Sequence, residues 1–567
     1  MRSFLVRHNP LGVVPLVSLA FSTTNALRPY RYLDIFHQYL RRPDNALLTS
    51  SFPWSGKDLW NDSVRDDDDD DDENYPDVEE LYFVQRLDHF DPLNVQTYQQ
   101  RYFYSNRYVS KNAHRTIVFL CVGGEGPGFT KSVLVDSDHC TGDMIELAKE
   151  LFLHYNISVP MYALEHRYYG KSYPTFDDGT SPVATSNLKY LSSRQALEDL
   201  AHFVQSHPIE NAPWVTFGGS YPGYMAGNAR LKYPHLIYAA VSNSAPLDLK
   251  VDFPEYNERV GWDLKYEIIG GSEECFDIVK NGHVEAVAML ARNATKLAEL
   301  FHVCNPETAL LKRENQNLFL GEGLIDIYVQ GNDPSCDSEI CNIERLCNYM
   351  IEAKKKQPTE YGSLGVLVDV ANKQRGNDTE CRSVDFDLML QELGKPVVEE
   401  FGWRSWLWQT CTEVGFYQTC VHDTCPYATH FHTVDQDLAI CRAAYNITNV
   451  YDNVQSTKDF YGGLDISAGS RVLSVNGDVD PWSVLGLHVS PKYSLPVEMV
   501  QGASHHFWTH QVKETDGIEV ERIREYIYSV VMDWLAIDNV ASHMNNKDSR
   551  PQERNFLRGG AGSILNV

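Results

Sequence analysis

The chain has 567 residues, 43% of them hydrophobic, and a formal net charge of −28. This length predicts either one large core with a sizeable insertion or two to three domains. The acidic charge argues against nucleic acid as a partner, because binding to phosphates requires a basic surface. Without the acidic run at residues 66–73 the charge is still about −20, so the rest of the chain is acidic as well.

The first residues have the features of a targeting sequence. Arg2 and Arg7 supply positive charge, and the apolar stretch at 11–21 is shorter than the roughly 20 residues that span a bilayer. We predict a signal peptide over residues 1–26, with a signal anchor as the alternative. Since no later stretch of the sequence is apolar for long enough, an integral membrane protein is not expected.

Residues 27–75 are predicted to form an acidic, disordered tail or a pro-segment. Seven consecutive aspartates at 66–72 repel one another too strongly to pack in a core. A tract that collects calcium or binds a partner is the alternative interpretation.

From Tyr82 onward, short apolar runs alternate with helix-like segments, which is typical of an α/β sheet. Strands are predicted at residues 116–122, 160–165, 214–217, 239–244, 471–475 and 497–500. Helical spacing of apolar residues predicts a closing helix around 523–534.

The alternation stops between residues 246 and 395, a region of mixed polarity that holds six of the twelve cysteines. We predict that this region is a helical cap (residues 246–395) over the carboxyl ends of the strands, where α/β sheets bind ligands. The core then comprises residues 76–245 and 396–540, and residues 541–567 form a C-terminal tail.

An even number of cysteines behind a signal peptide favours disulfides, whose pairing the sequence leaves open. The alternative is a zinc site at Cys336, Cys341 and Cys347, but their spacings of five and six residues do not match a CxxC motif. No metal or cofactor is therefore expected. Five sequons would be usable as glycosylation sites in a secretory lumen: Asn61, Asn156, Asn293, Asn377 and Asn446.

The segment "TFGGSYPGYMA" (216–226) places Ser220 between a predicted strand and a predicted helix. In a nucleophile elbow such a turn lifts the serine hydroxyl above the sheet, and small neighbours are needed because the turn is crowded. The pattern G-x-S-x-G is not met, because Pro222 stands where the last glycine is expected. An ordinary glycine-rich turn is the alternative.

Two later loops contain the partners that a nucleophilic serine needs, in the chain order serine, acid, histidine. The acid loop (475–482, "VNGDVDPW") contains Asp478 and Asp480, and the histidine loop (501–508, "QGASHHFW") contains His505 and His506. We favour Asp480 as the acid, because Pro481 can restrict its loop.

The oxyanion donors are predicted from the same layout. One is the backbone N–H of Tyr221, directly after the serine, and the other lies in the oxyanion loop (123–129, "GGEGPGF"), at Gly124 or Glu125. The phosphate-binding motif G-x-x-x-x-G-K-[ST], an alternative use of such glycines, is absent here.

Longer motifs between residues 85 and 506 carry a family resemblance: "QRLDHFDP", "EHRYYGKSYP", "GGSYPGYMA", "WQTCTEVGFYQT", "NGDVDPW" and "GASHH". The sequence resembles the serine peptidases that include lysosomal Pro-Xaa carboxypeptidase, dipeptidyl peptidase II and thymus-specific serine protease, and looks closest to the last branch. The resemblance implies an α/β-hydrolase core with a disulfide-bearing helical cap, a triad of Ser220, Asp480 and His505, and a secreted or endosomal-lysosomal location.

The resemblance also implies hydrolysis of short peptides, after proline in the exopeptidase members. One departure is that Phe507 and Trp508 follow the histidines, where many members have an acidic residue. The alternatives are an esterase or lipase with the same triad, and a secreted glycoprotein whose core is only a scaffold. The sequence leaves the oligomeric state open, and a homodimer is one possibility.

Overall fold

The computed structural model describes residues 75–356, 361–376 and 381–537. The predicted signal peptide (1–26), the predicted C-terminal tail (541–567) and all but Tyr75 of the predicted acidic segment lie outside these residues. Among the helices of the described part, none combines the length and the apolar character that crossing a bilayer requires.

The strands of the described residues are short and spread over most of the chain. They are β1 (Val78–Arg86), β2 (Thr97–Ser105), β3 (Arg115–Thr116), β4 (Val118–Val122), β5 (Ile157–Ser158), β6 (Met161–Leu164), β7 (Trp214–Gly219), β8 (Ile237–Asn243), β9 (Lys250–Asp252), β10 (Gly415–Tyr417), β11 (Val472–Gly477) and β12 (Val497–Val500).

Helices connect most of these strands. They are α1 (Glu146–Tyr155), α2 (Thr185–Leu188), α3 (Ser193–Ser206), α4 (Tyr221–Lys232), α5 (Pro254–Asp263), α6 (Glu273–Leu300), α7 (Arg313–Leu320), α8 (Ile343–Lys356), α9 (Gly362–Arg375), α10 (Phe386–Leu393), α11 (Trp403–Gln409), α12 (Val434–Tyr445), α13 (Val450–Tyr461) and α14 (Ile518–Trp534). Short helical turns lie at Lys131–Leu134, Thr141–Ile145, Glu267–Ile269, Ala309–Leu311, Thr410–Val414, Pro481–Leu485 and Phe507–Thr509.

Eight of the strands form one sheet in the order β1-β2-β6-β4-β7-β8-β11-β12. The strands from β6 to β12 are parallel to one another, and β2 pairs antiparallel with both β1 and β6. Counted along the chain, the strands of this sheet therefore lie in the order 1-2-4-3-5-6-7-8, which is the α/β-hydrolase arrangement. The predicted fold class is confirmed, and all six predicted strands and the closing helix are present.

Alternate side chains of the central strands point to opposite faces of the sheet, as the two-residue period of a strand requires. In β4, Val118, Leu120 and Val122 belong to one buried cluster, whereas Phe119 and Cys121 belong to the other. Both faces of the sheet are thus covered, which explains why its strands appear in the sequence as continuous apolar runs.

The region predicted to be the cap (residues 246–395) contains helices α5 to α10 and lies between β8 and β11 in the chain. Three disulfides cross-link it, and every cysteine of the chain is paired. The pairs are Cys121–Cys140, Cys275–Cys347, Cys304–Cys381, Cys336–Cys341, Cys411–Cys441 and Cys420–Cys425. The alternative of a zinc site at Cys336, Cys341 and Cys347 is therefore wrong.

Candidate active site

Ser220 lies at the sharp corner between β7 and α4. Its backbone has φ 62° and ψ −133°, a conformation that is strained for a residue with a side chain and is characteristic of functional sites. Its N–H donates to the carbonyl oxygen of Asn243 at the end of β8 (2.9 Å). The corner therefore has the strand-to-helix geometry of a nucleophile elbow.

The glycines around Ser220 are required by close approach of neighbouring groups. A Cβ atom on Gly218 would lie 2.5 Å from the carbonyl carbon of Pro222, and one on Gly219 would lie 2.8 Å from the ring of His506. A Cβ on Gly223 would lie 2.5 Å from the carbonyl oxygen of Asn243. These contacts are closer than packed atoms tolerate, so a larger residue at any of the three would displace the elbow.

Asp480 and His505 form a buried hydrogen-bonded pair. The Asp480 Oδ2 atom lies 2.8 Å from His505 Nδ1, and Asp480 Oδ1 accepts from the backbone N–H of Trp482 (2.9 Å). Asp480 is completely buried and His505 is 3% exposed. A carboxylate can only accept, so Nδ1 of the neutral ring donates, and Nε2 is left as a proton acceptor.

Asp478 and His506, the second acid and the second histidine of the two loops, form hydrogen bonds with other residues. Asp478 accepts from the N–H of Gly502 (2.6 Å) and the hydroxyl of Tyr266 (2.8 Å). His506 Nδ1 lies 3.1 Å from the hydroxyl of Thr509. Burial and then the neighbouring His505 lower the pKa of His506 well below its usual value, so that its ring is neutral. The geometry therefore separates Asp480 and His505 from Asp478 and His506.

The serine and the histidine loop meet at the carboxyl edge of the parallel strands. His506 lies against Gly219, and the centroids of the His505 and His506 rings are 4.6 Å apart. His505 Nε2 is buried and has no hydrogen-bond partner among the described residues, so it makes no hydrogen bond to the Ser220 hydroxyl in this structure. Such contacts are commonly long in enzymes without substrate.

The two residues predicted to supply the oxyanion donors are brought towards each other by packing. Tyr221 is the first residue of α4, where a backbone N–H has no partner within the helix. Gly124 packs so closely on the ring of Pro222 that a Cβ atom would overlap it. This contact brings the oxyanion loop against the first turn of α4, and so brings Gly124 near Tyr221.

The comparison with known families agrees with this geometry. The profile of the family described as serine carboxypeptidase S28 matches residues 85–527. The chain belongs to the serine carboxypeptidase S28 family. It is therefore a serine peptidase, a hydrolase with the α/β-hydrolase fold.

Individual S28 relatives cover most of the chain. Thymus-specific serine protease of Mus musculus is 32% identical over 464 residues, which are 80% of this chain and 86% of that protein. The Homo sapiens protein of the same name is 30% identical over 470 residues, with 80% and 86% covered. Lysosomal Pro-X carboxypeptidase of Homo sapiens is 25% identical over 474 residues, with 80% and 88% covered. The higher identity to the thymus-specific proteins confirms the predicted branch.

In this S28 peptidase the side chain of Tyr221 is the centre of a hydrogen-bond chain. His166 Nδ1 lies 2.7 Å from the carbonyl oxygen of Arg167, which can only accept, so His166 Nε2 is an acceptor for the Tyr221 hydroxyl (3.1 Å). Gln409 Nε2 donates to the same hydroxyl (3.0 Å), and Tyr169 donates to Gln409 Oε1 (2.6 Å). Burial lowers the pKa of His166 to about 4, which keeps it neutral.

Sequence reasoning did not assign a role to His166 or Gln409. Both lie in motifs that carry the S28 resemblance, "EHRYYGKSYP" and "WQTCTEVGFYQT", so the resemblance marked the segments but not the contacts. The two residues are 243 positions apart in the chain and both bond the Tyr221 hydroxyl.

Glu125, the alternative to Gly124, places a carboxyl group beside the site. Its Oε2 atom is buried and has no hydrogen-bond partner among the described residues. Burial raises the pKa of Glu125 to about 7. Within the same residues there is no group of three or more His, Cys, Asp or Glu side chains that could hold a metal ion.

Proposed function

We propose that this S28 peptidase is an exopeptidase that cleaves short peptides after proline through an acyl-enzyme on Ser220. The Ser220 hydroxyl attacks the scissile carbonyl carbon while His505 Nε2 takes its proton, and Asp480 holds the ring and stabilises the imidazolium. The N–H groups of Tyr221 and Gly124 donate to the oxyanion.

The later steps follow from the same groups. His505 gives its proton to the leaving amine as the C–N bond breaks, and Ser220 remains as an ester of the acyl fragment. A water then gives a proton to His505 and attacks the ester, and Ser220 recovers its proton when the acid product leaves.

One observation carries the proposal: the buried Asp480–His505 hydrogen bond lies at the same sheet edge as the strained Ser220 elbow. His505 leaves Nε2 without a partner among the described residues, as a general base for an incoming serine proton requires.

The cap supports the exopeptidase mode. Its α5 helix contacts the acid loop through Arg259, which donates to the carbonyl oxygen of Asp478 (2.9 Å), and Tyr266 bonds the Asp478 side chain. A cap this close to the site would exclude folded proteins and admit chain ends. The preference for proline rests on the relative named Pro-X carboxypeptidase.

A secreted or endosomal-lysosomal location is part of the proposal. Disulfides persist in oxidising compartments, and six are formed here. The sequon residues Asn156, Asn293 and Asn446 are exposed and available as glycosylation sites, whereas Asn61 and Asn377 lie outside the described residues.

Product analysis tests the proposal directly. The purified protein is incubated with a small library of free, N-blocked and C-blocked peptides, and the products are identified by mass spectrometry. Release of terminal fragments at proline is expected from the parent protein and not from Ser220→Ala. Ser474→Ala, which removes from β11 a buried hydroxyl that has no hydrogen-bond partner among the described residues, is the control and should keep activity.

A fluorophosphonate probe and an ester substrate separate the alternatives. The probe should label the parent and not Ser220→Ala. A kcat/KM for p-nitrophenyl esters far above that for proline peptides would favour an esterase, and absence of labelling after removal of any pro-segment would favour a scaffold.

A further inference from the structure

Part of the cap has neither helix nor strand but is mostly buried. It comprises residues 321–342, here called the cap linker, and connects α7 to α8. Such a segment needs partners for its backbone polar groups outside regular structure. Some of these partners lie in the two loops that carry Asp480 and His505.

Gln330 of the cap linker contacts the histidine loop with its backbone. The N–H of His505 donates to the carbonyl oxygen of Gln330 (3.2 Å). Next to this bond, the hydroxyl of Ser504 donates to the carbonyl oxygen of Asn332 (3.3 Å). The backbone from which the His505 ring projects is thus held by the cap linker.

Gln330 contacts the acid loop with its side chain. Its Oε1 atom accepts from the indole N–H of Trp482 (3.0 Å) and from the hydroxyl of Tyr256 in α5 (3.1 Å). Trp482 in turn donates its backbone N–H to Asp480 Oδ1, and its ring packs near that of His505, with centroids 6.3 Å apart. The buried residue Gln330 therefore holds the backbone of His505 and, through Trp482, a residue bonded to Asp480.

The cap linker is itself anchored, so that Gln330 has a defined position. The N–H of Ile343 donates to Asn332 Oδ1 (2.9 Å), and Lys513 forms an ion pair with Asp333 (3.0 Å). Upstream, Gln374 of α9 bonds both backbone groups of Asp326 (2.9 and 2.8 Å). These bonds tie the linker to helices of the cap and to the segment after the histidine loop.

We propose that Gln330 is a positioning residue of the active site, through which the cap holds the acid loop and the histidine loop in register. This inference rests on the proposed roles of Asp480 and His505. Gln330 does not touch the reacting atoms; it acts through Trp482 and the His505 backbone. The cap is then part of the catalytic geometry as well as a barrier to large substrates.

The experiment measures the second-order rate constant for labelling by a fluorophosphonate, which needs no knowledge of the natural substrate. Gln330→Leu keeps the volume but removes the acceptor of two buried donors. We expect labelling to slow about 10- to 100-fold, since small misplacements of catalytic groups cost about this much. Gln330→Glu keeps an acceptor oxygen and should label within about threefold of the parent.

The pH dependence of labelling distinguishes positioning from loss of fold. A looser Asp480–His505 contact stabilises the imidazolium less, so the midpoint of the labelling profile should move to lower pH in Gln330→Leu. Partial unfolding would lower the active fraction without moving this midpoint. Gln195→Leu is the matched control, because it removes a buried glutamine of α3 that accepts from the N–H of His89 (2.9 Å), away from the cap linker and the two loops, and should leave rate and midpoint unchanged.

Each result decides between the alternatives. Labelling of folded Gln330→Leu at the parental rate, or an equal loss in Gln195→Leu, would overturn the inference. If Gln330→Leu does not fold, Tyr256→Phe, which removes one donor to Gln330, decides: a fall of about 2- to 10-fold supports the inference and no change contradicts it. A parent protein that is not labelled at Ser220 refutes the proposed function instead.

Discussion

The substitution Asp480→Asn tests the catalytic pair most directly. Asparagine can still accept the Trp482 N–H with its oxygen, so its NH2 group must then face His505 Nδ1. That contact favours the ring tautomer with the proton on Nε2, which cannot accept the Ser220 proton. The substitution also removes a carboxylate that lies 2.8 Å from the nitrogen of the developing imidazolium.

The expected loss follows from this distance. Two unit charges 2.8 Å apart interact by about 6 kcal/mol at an effective dielectric constant of about 20, which corresponds to about 10⁴-fold in rate. Fluorophosphonate labelling and peptide hydrolysis should both fall by about this factor, and the thermal midpoint of unfolding checks that the variant is folded.

Asp478→Asn, in the same loop, is the control. Asp478 accepts from Tyr266 and Gly502 and does not bond a histidine. Its substitution should cost about 1–3 kcal/mol of stability and leave kcat within about threefold of the parent. Equal losses of activity in the two variants would refute the assignment of Asp480.

Three further predictions concern the surroundings of the pair. Tyr221→Phe breaks the hydroxyl bonds to His166 and Gln409 that hold the Tyr221 residue in place. Its backbone N–H, the predicted oxyanion donor, is kept but less firmly positioned, so kcat should fall about 10-fold with little change in KM in steady-state assays, because oxyanion donors act in the transition state. Tyr224→Phe, whose hydroxyl has no partner among the described residues, should leave kcat unchanged. Burial lowers the pKa of His432, but Asp437 and then Glu322 outweigh it and raise the pKa to about 9. The stabilisation by protonated His432 is therefore complete below about pH 6.5 and is lost as the pH rises through 9. Denaturant unfolding should show about 3 kcal/mol less stability at pH 10 than at pH 6. His432→Gln should abolish this difference, whereas His422→Gln, which removes an exposed ion pair, should retain it. Glu125, with a pKa of about 7, is neutral in acid and ionised above pH 7, where its negative charge opposes that of the oxyanion. We therefore expect kcat to fall above pH 7 in the parent protein and not in Glu125→Gln. Identical pH profiles of the two proteins would contradict this role.

The sequence predicts those elements of the fold that have a regular pattern of apolar residues. The central strands are buried on both faces and therefore appear as apolar runs, and parallel strands bring their carboxyl ends to one edge. Ser220, Asp480 and His505 could be placed together because each follows such a run. The hairpin β1–β2 was not predicted, since its strands "VEELYFVQR" and "TYQQRYFYS" mix polar with apolar residues, and β1 lies at the edge of the sheet.

The contacts of Gln330, His166 and Gln409 could not be predicted for a different reason. Each depends on segments far apart in the chain, and none lies in a pattern that local propensity or periodicity reveals. The cap linker is irregular although it is mostly buried, so its sequence resembles that of an exposed loop. Disulfide pairing could not be predicted for the same reason, because alternative pairings of the twelve cysteines differ only in the tertiary structure that each requires.

Glycines at the strand ends carry part of this tertiary information. Gly219 ends β7 where a Cβ would meet the His506 ring, and Gly477 ends β11 where a Cβ would overlap the carbonyl oxygen of Ala503. Because neither glycine has a Cβ atom, the histidine loop can pass close to the sheet at both positions. They are therefore required by the approach of the histidine loop to the sheet, and not by the turns in which they stand. A glycine at the carboxyl end of a buried strand can thus indicate which later loop packs there, which the serine, acid and histidine motifs alone do not show.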